Sequence, residues 1–143
     1  MTDSPPSPPS PETTDRMRRV RTTGTHPEME LRRVLHARGL RYRVNSPIDE
    51  LSRRIRPDIV FRGPRVAVFV DGCFWHGCPQ HFVPPKKNTS WWTSKIADNS
   101  RRDHRIDLEL ATIGWAVVRV WEHEPATSAA ERVVRIVDAR RKQ

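Results

Sequence analysis

Pro57-Asp58-Ile59-Val60-Phe61-Arg62-Gly63-Pro64-Arg65-Val66-Ala67-Val68-Phe69-Val70-Asp71 sets two apolar runs on either side of a Gly-Pro break. Runs of this length with such punctuation read as a β-hairpin. In the second run Val66, Val68 and Val70 share one face, and Ala67 and Phe69 share the other. Apolar residues on both faces predict a central strand, covered on each side. A turn centred between Gly63 and Pro64 places Asp58 opposite Phe69, with Asp71 diagonal to it on the same face, because side chains repeat every two residues. Two like charges at one end of a sheet repel unless a cation lies between them, and a hard divalent ion such as Mg2+ suits them, with the Val70 carbonyl as a further oxygen ligand. The alternative is that Asp58 pairs with Arg54 or Arg56.

Moving outward, Thr25-His26-Pro27-Glu28 has the signals of a helix start, and Leu31, Val34 and Leu35 mark its apolar face up to Gly39. Arg41 to Asn45 is a short strand candidate, followed by a polar loop through Arg56. Trp91 to Ile113 reads as a long helix ended by Gly114, and Trp115 to Trp121 as another strand. Ser128-Ala129-Ala130-Glu131 has capping-box spacing before a final helix striped by Val133, Val134 and Val137. This order predicts an α/β fold, a mixed central sheet flanked by helices. Residues 1–16 carry prolines at 5, 6, 8, 9 and 11 among Ser and Thr. That composition reads as a disordered tail before a single domain over 17–143.

Net charge is +9, from 26 Lys+Arg against 17 Asp+Glu, which favours a polyanionic partner. No apolar run reaches the length of a membrane span and no signal peptide is evident, so a cytoplasmic protein is expected. The only two cysteines, Cys73 and Cys78, lie beside histidines. A disulfide between them would close a very small loop, so metal binding is the better reading. Cys73-x4-Cys78-x2-His81 supplies three ligands, and His123 a fourth, for a structural zinc site. His76 competes with His81. With His81 as ligand, His76 is held between the two cysteines and left for proton transfer.

Phe74-Trp75 and Trp91-Trp92 put large rings among polar residues, where apolar groups on a basic surface can be driven between base steps. Core packing is the usual fate of tryptophan, and at least one of Trp91 and Trp92 is expected to be buried. On the long helix, Trp92, Lys95, Asn99 and Asp103 fall on one stripe, read as a surface that touches bases. The alternative is a solvated face with ion pairs.

These residues resemble the very short patch repair endonucleases, bacterial mismatch-nicking enzymes. The resemblance runs from Met17-Arg18 to about Glu124. It rests on Thr25-x-x-Glu28, Arg56-Pro57-Asp58, Asp71-Gly72-Cys73-Phe74-Trp75-His76, Trp92-x-x-Lys95-Ile96-x-x-Asn99, Arg102-Asp103, Gly114-Trp115 and Val120-Trp121-Glu122. It implies a restriction-endonuclease-like fold and a nick in one DNA strand 5′ to the thymine of a T:G mismatch, such as arises when 5-methylcytosine deaminates. Asp58 would then bind Mg2+, and His76 would act as general base. Glu28 and Asp103 would support the metal waters or that histidine, and Asp71 would be a metal ligand or a partner of His76. Phe74, Trp75 and Trp92 look like an intercalating wedge with Met17 on the other side, and Lys95 and Asn99 like mismatch readers. Some members carry His where Asp71 stands, and the family shows Cys where this chain has His123.

The implied cofactors are catalytic Mg2+ and structural Zn2+. The expected partners are mismatched duplex DNA and mismatch-repair proteins, with a cytosine methyltransferase as genetic companion. A monomer associated with the nucleoid is expected. Competing readings are a restriction-type nuclease acting on matched DNA and a zinc-stabilised DNA-binding module without catalysis.

Overall fold

A computed structural model describes residues 25–51, 54–73, 78 and 86–142. The tail over 1–16 and Met17, Phe74, Trp75, His76 and His81 lie outside the described residues. In chain order the elements are α1 (His26–Ala37), β1 (Arg43–Val44), β2 (Ile59–Phe61), β3 (Val66–Asp71), α2 (Thr89–Thr112), β4 (Ala116–Trp121) and α3 (Ala126–Arg141).

The hairpin forms in the register the turn position predicts. Ile59 lies opposite Val68, Val60 opposite Ala67 and Phe61 opposite Val66, which centres the turn between Gly63 and Pro64. β1 pairs antiparallel with β2, and β4 pairs parallel with β3 along its whole length, giving a four-stranded mixed sheet in the order β1-β2-β3-β4.

β3 is central and packed on both faces, as its two-sided apolar pattern requires. On one face Ile59, Phe61, Val66, Val68, Val118 and Val120 meet Leu31 and Leu35 of α1 and Ala129, Ala130, Val133 and Val137 of α3. On the other, Val60, Ala67, Phe69 and Val117 meet Ile106 and Leu110 of α2, with Trp115 beside them. Ile48 and Ile55 join this second cluster, bridged to each other through backbone hydrogen bonds of 2.7 and 3.3 Å. The segment expected to be a polar loop therefore covers part of the core.

α1 and α2 end where glycine allows a left-handed backbone: Gly39 has φ +81° and Gly114 φ +87°. The start of α3 departs from the expected capping box. Pro125 is its N-cap residue with no side-chain cap bond, so Ser128 already lies inside the first turn. Glu124 organises the entry instead, accepting the Trp121 N–H at 3.0 Å and pairing with Arg132. That contact links residues eight apart, beyond the reach of a local capping pattern.

Candidate functional site

The open end of the hairpin gathers the chemistry. Asp58 immediately precedes β2, and its Oδ2 accepts the backbone N–H of Val70 at 2.7 Å. Its carboxylate is thus anchored beside the Val70 backbone, the pair of residues expected to face a hard cation. Arg54, one expected counter-ion, pairs with Asp49 instead at 3.0 Å, and Arg56 is exposed.

The charge balance of Asp71 comes from a residue the sequence reading missed. Arg119 of β4 puts Nη1 at 3.1 and 3.2 Å from the two Asp71 oxygens. Its Nε lies at 2.9 and 3.1 Å from those of Asp107, and Nη1 is 3.8 Å from Asp103 Oδ1. The guanidinium also lies 4.3 Å from the centre of the Phe69 ring. Burial opposes its charge, but the bond to Asp107 and the fields of Asp71, Asp107 and Asp103 outweigh that and raise its pKa. Among the described side chains, a guanidinium from the neighbouring strand meets Asp71. The available signal was a lone charge between Val118 and Val120 on an apolar strand.

This network gives the long helix an inward face. Trp92, Ile96, Asn99 and Leu110 are buried, and Asp103 and Asp107 reach down to Arg119, so the stripe faces inward. Lys95 is exposed at its margin. Trp92, 2% exposed, packs edge-on against Trp91 with ring centres 4.9 Å apart, so one of the two tryptophans is buried as expected. The Asn99 side-chain oxygen lies 3.4 Å from Arg102. Glu28, in the first turn of α1, is buried and ion-paired with Arg32 one turn on. Its negative charge there also suits the positive end of the helix dipole.

Just past β3 and β4, Cys73, Cys78 and His123 bring one ligand atom each within 4.8 Å of one another. Cys73 Sγ and Cys78 Sγ lie 3.2 and 3.6 Å from His123 Nδ1. A tetrahedral ion with Zn–S and Zn–N bonds of about 2.3 and 2.0 Å spaces its ligands roughly 3.5 to 3.8 Å apart, so the donor set fits zinc in kind and nearly in spacing. Backbone bonds hold the group together. Cys78 N–H donates to Cys73 O at 2.9 Å, Cys73 N–H to Glu122 Oε1 at 3.0 Å, and Glu122 N–H to Asp71 O at 2.9 Å. Without metal, burial and the adjacent Cys78 thiol push the Cys73 pKa up to about 12. A bound cation reverses that preference by stabilising the thiolate. Cys73, Cys78 and His123 come together, as the sequence reading expected, from segments just past β3 and β4.

No described helix is long and apolar enough to cross a membrane. Residues 10–81 match the family model for DNA mismatch endonuclease Vsr. The type II nicking enzyme V.NaeI of Lentzea aerocolonigenes is 44% identical over 119 residues, covering 80% of this chain and 69% of that protein. The type II nicking enzyme V.NmeDIP of Neisseria meningitidis serogroup C is 42% identical over 118 residues, 79% of this chain and 77% of that one. The DNA mismatch endonuclease Vsr of Escherichia coli K12 is 37% identical over 107 residues, 74% of this chain and 66% of that one.

Proposed function

Because the chain belongs to the DNA mismatch endonuclease Vsr family and is a DNA endonuclease, we propose that it nicks one strand 5′ to the thymine of a T:G mismatch by Mg2+-dependent hydrolysis. The observation that carries this reading is the Asp58 carboxylate fixed against the Val70 backbone at the sheet end. On this reading the sheet and its helices form a restriction-endonuclease-like core.

One carboxylate and one carbonyl are a fitting protein contribution for Mg2+, which keeps most of its waters and takes remaining ligands from substrate phosphate. Bound there, Mg2+ supplies Lewis-acid stabilisation of charge at the scissile phosphate. Asp58 and the Val70 carbonyl would hold that ion. His76 takes the proton of the attacking water as general base. Asp103 and Glu28 support the surrounding hydrogen bonds, and Asp71, clamped by Arg119, is a positioning residue rather than a metal ligand. Cys73, Cys78, His123 and His81 would hold a structural Zn2+, which would fix the backbone that carries His76.

Phe74 and Trp75, with Met17 opposite, form the wedge, and Trp92 backs it from inside the fold. A wobble pair is already poorly stacked, so inserting rings there costs less than at a matched step. Lys95, exposed at the margin of the stripe, and Asn99, 8% exposed beside it, read the mismatch. The working context is deaminated 5-methylcytosine in the nucleoid of a cell with a cognate cytosine methyltransferase, where mismatch-repair proteins follow the nick.

Strand-labelled T:G and T:A duplexes, incubated with the protein and Mg2+, test the proposal. Nicking confined to the T-strand of the T:G duplex is the expected result. Equal double-strand cutting of both would assign a restriction-type activity, and binding without cleavage a non-catalytic DNA module.

A further inference from the structure

The closed end of the hairpin lies one strand length from Asp71, roughly 17 Å for the five residue steps of β3. It carries a different chemistry. An open cavity of about 450 Å³ there is lined by Arg41, Arg62, Arg140 and Arg141 around the Gly63-Pro64 turn. A second, of about 360 Å³, continues it along β1 past Arg43. No carboxylate lines either cavity.

None of the five guanidiniums forms an ion pair among the described residues, and the one acid whose field reaches them is Glu50, near Arg62. Arg62 donates to Ser46 Oγ at 2.6 Å and to Pro47 O at 2.8 Å, and Arg140 donates to Pro64 O at 2.8 Å and to Gly114 O. Arg41, Arg43 and Arg141 make no side-chain hydrogen bond or ion pair there. Most acid-rich contacts elsewhere are neutralised: Arg65 by Glu50, Arg38 by Glu131, and Arg119 by three aspartates. Leaving five like charges together costs stability through mutual repulsion, and the cost is recovered when a polyanion binds.

We propose that this arginine cleft is a second phosphate-backbone site, which grips a stretch of duplex other than the one being cut. It rests on the DNA reading above only for the identity of the polymer. A guanidinium fork matches phosphate oxygens two at a time, and phosphate contacts carry no sequence preference, as a site remote from the mismatch requires. An acidic protein partner fits less well, because Val60 and Phe61 are buried and only the half-buried Tyr42 and Pro64 offer apolar surface among five arginines. With catalytic and basic ends on opposite sides of one hairpin, the chain can hold two duplex segments and pass between them while searching.

The test uses the full chain in Mg2+-free buffer, a donor-labelled T:G duplex and an acceptor-labelled matched duplex. Wild-type protein should bring the two together and give energy transfer. The triple variant R41Q/R43Q/R141Q removes only side chains without bonds, so its melting temperature should stay at the wild-type value. It should lose transfer by about tenfold or more and flatten the salt dependence of second-duplex binding by roughly 2 to 3 log units per log unit. Its affinity for the T:G duplex alone, and nicking once Mg2+ is added, should stay within about twofold of wild type. Absence of transfer in wild type with the first duplex bound, undiminished transfer in the variant, or equal loss of both duplexes would each overturn the proposal. Failure of wild type to bind the first duplex would appear before the second is added, and would remove the DNA reading and this proposal together.

Discussion

The two ends of the β2–β3 hairpin differ in how their charges are met. At the open end the described carboxylates have partners: Asp58 takes the Val70 N–H, and Asp71 and Asp103 take Arg119. At the closed end Arg41, Arg43 and Arg141 meet no acid, although they stand on the same sheet and helix framework. Paired, half-buried charges are held in one geometry, which a reacting centre needs. Unpaired, exposed charges hold no geometry but attract a polyanion from a distance. The difference separates a site built for chemistry from a surface built for capture, and the polypeptide joins them through one central strand.

The sharpest way to break the comparison is to loosen the open end. Cys73→Ser removes a buried thiol from the Cys73–Cys78–His123 group, and structural zinc carries folding energy. Zinc content measured by mass spectrometry should fall below one per chain, with a melting temperature lower by on the order of 10 °C. Hydrogen exchange should rise first at 71–73 and 121–123 while the paired residues Val60 and Ala67 of the hairpin stay protected.

Arg119→Leu is the next largest effect. It leaves Asp71, 5% exposed, without its cation, and breaking a buried pair from one side costs about 3 to 5 kcal/mol. Denaturant unfolding should show that loss, and the double variant Asp71→Asn with Arg119→Leu should recover part of it. A single-variant loss below about 1 kcal/mol would make the network an ordinary surface ion pair.

Leu35→Ala sharpens the comparison from the shared core, since Leu35 is fully buried between α1 and the sheet. A loss of about 2 to 5 kcal/mol is expected, without a change in zinc content. The smallest effect belongs to Gly114→Ala. Its left-handed φ costs an alanine about 1 to 2 kcal/mol, although the nearest atom to a new Cβ, Arg65 Nε, is 3.7 Å away. Melting should shift by a few degrees and nicking should be unchanged.

Much of the framework was readable because it is set by local rules. Gly63-Pro64 placed the turn, the alternation of Val66 to Val70 predicted two covered faces, and Gly39 and Gly114 marked the helix ends. The Cys73–Cys78–His123 group was readable because metal ligands are scarce residue types and their chemistry narrows the choice. Arg119 was not. Its contacts to Asp71 and Asp103 join residues 48 and 16 apart in sequence, and nothing in a local window shows which strand will lie beside which. The burial of the helix stripe was hidden for the same reason. Periodicity shows that Trp92, Asn99 and Asp103 share a face, but a polar stripe is buried when a buried counter-ion awaits it, and that ion sits on β4. The Ser128 box failed because Glu124 and Arg132 fixed the entry to α3 one turn earlier.

The central claim is that hydrolysis belongs to the open end, at Asp58. Single-turnover kinetics on a strand-labelled T:G duplex, with binding followed in parallel by fluorescence anisotropy, address it most directly in Asp58→Ala. The account predicts a fall of about 1,000-fold or more in the nicking rate with T:G affinity within a few-fold of wild type. A variant that nicks at the wild-type rate would contradict it.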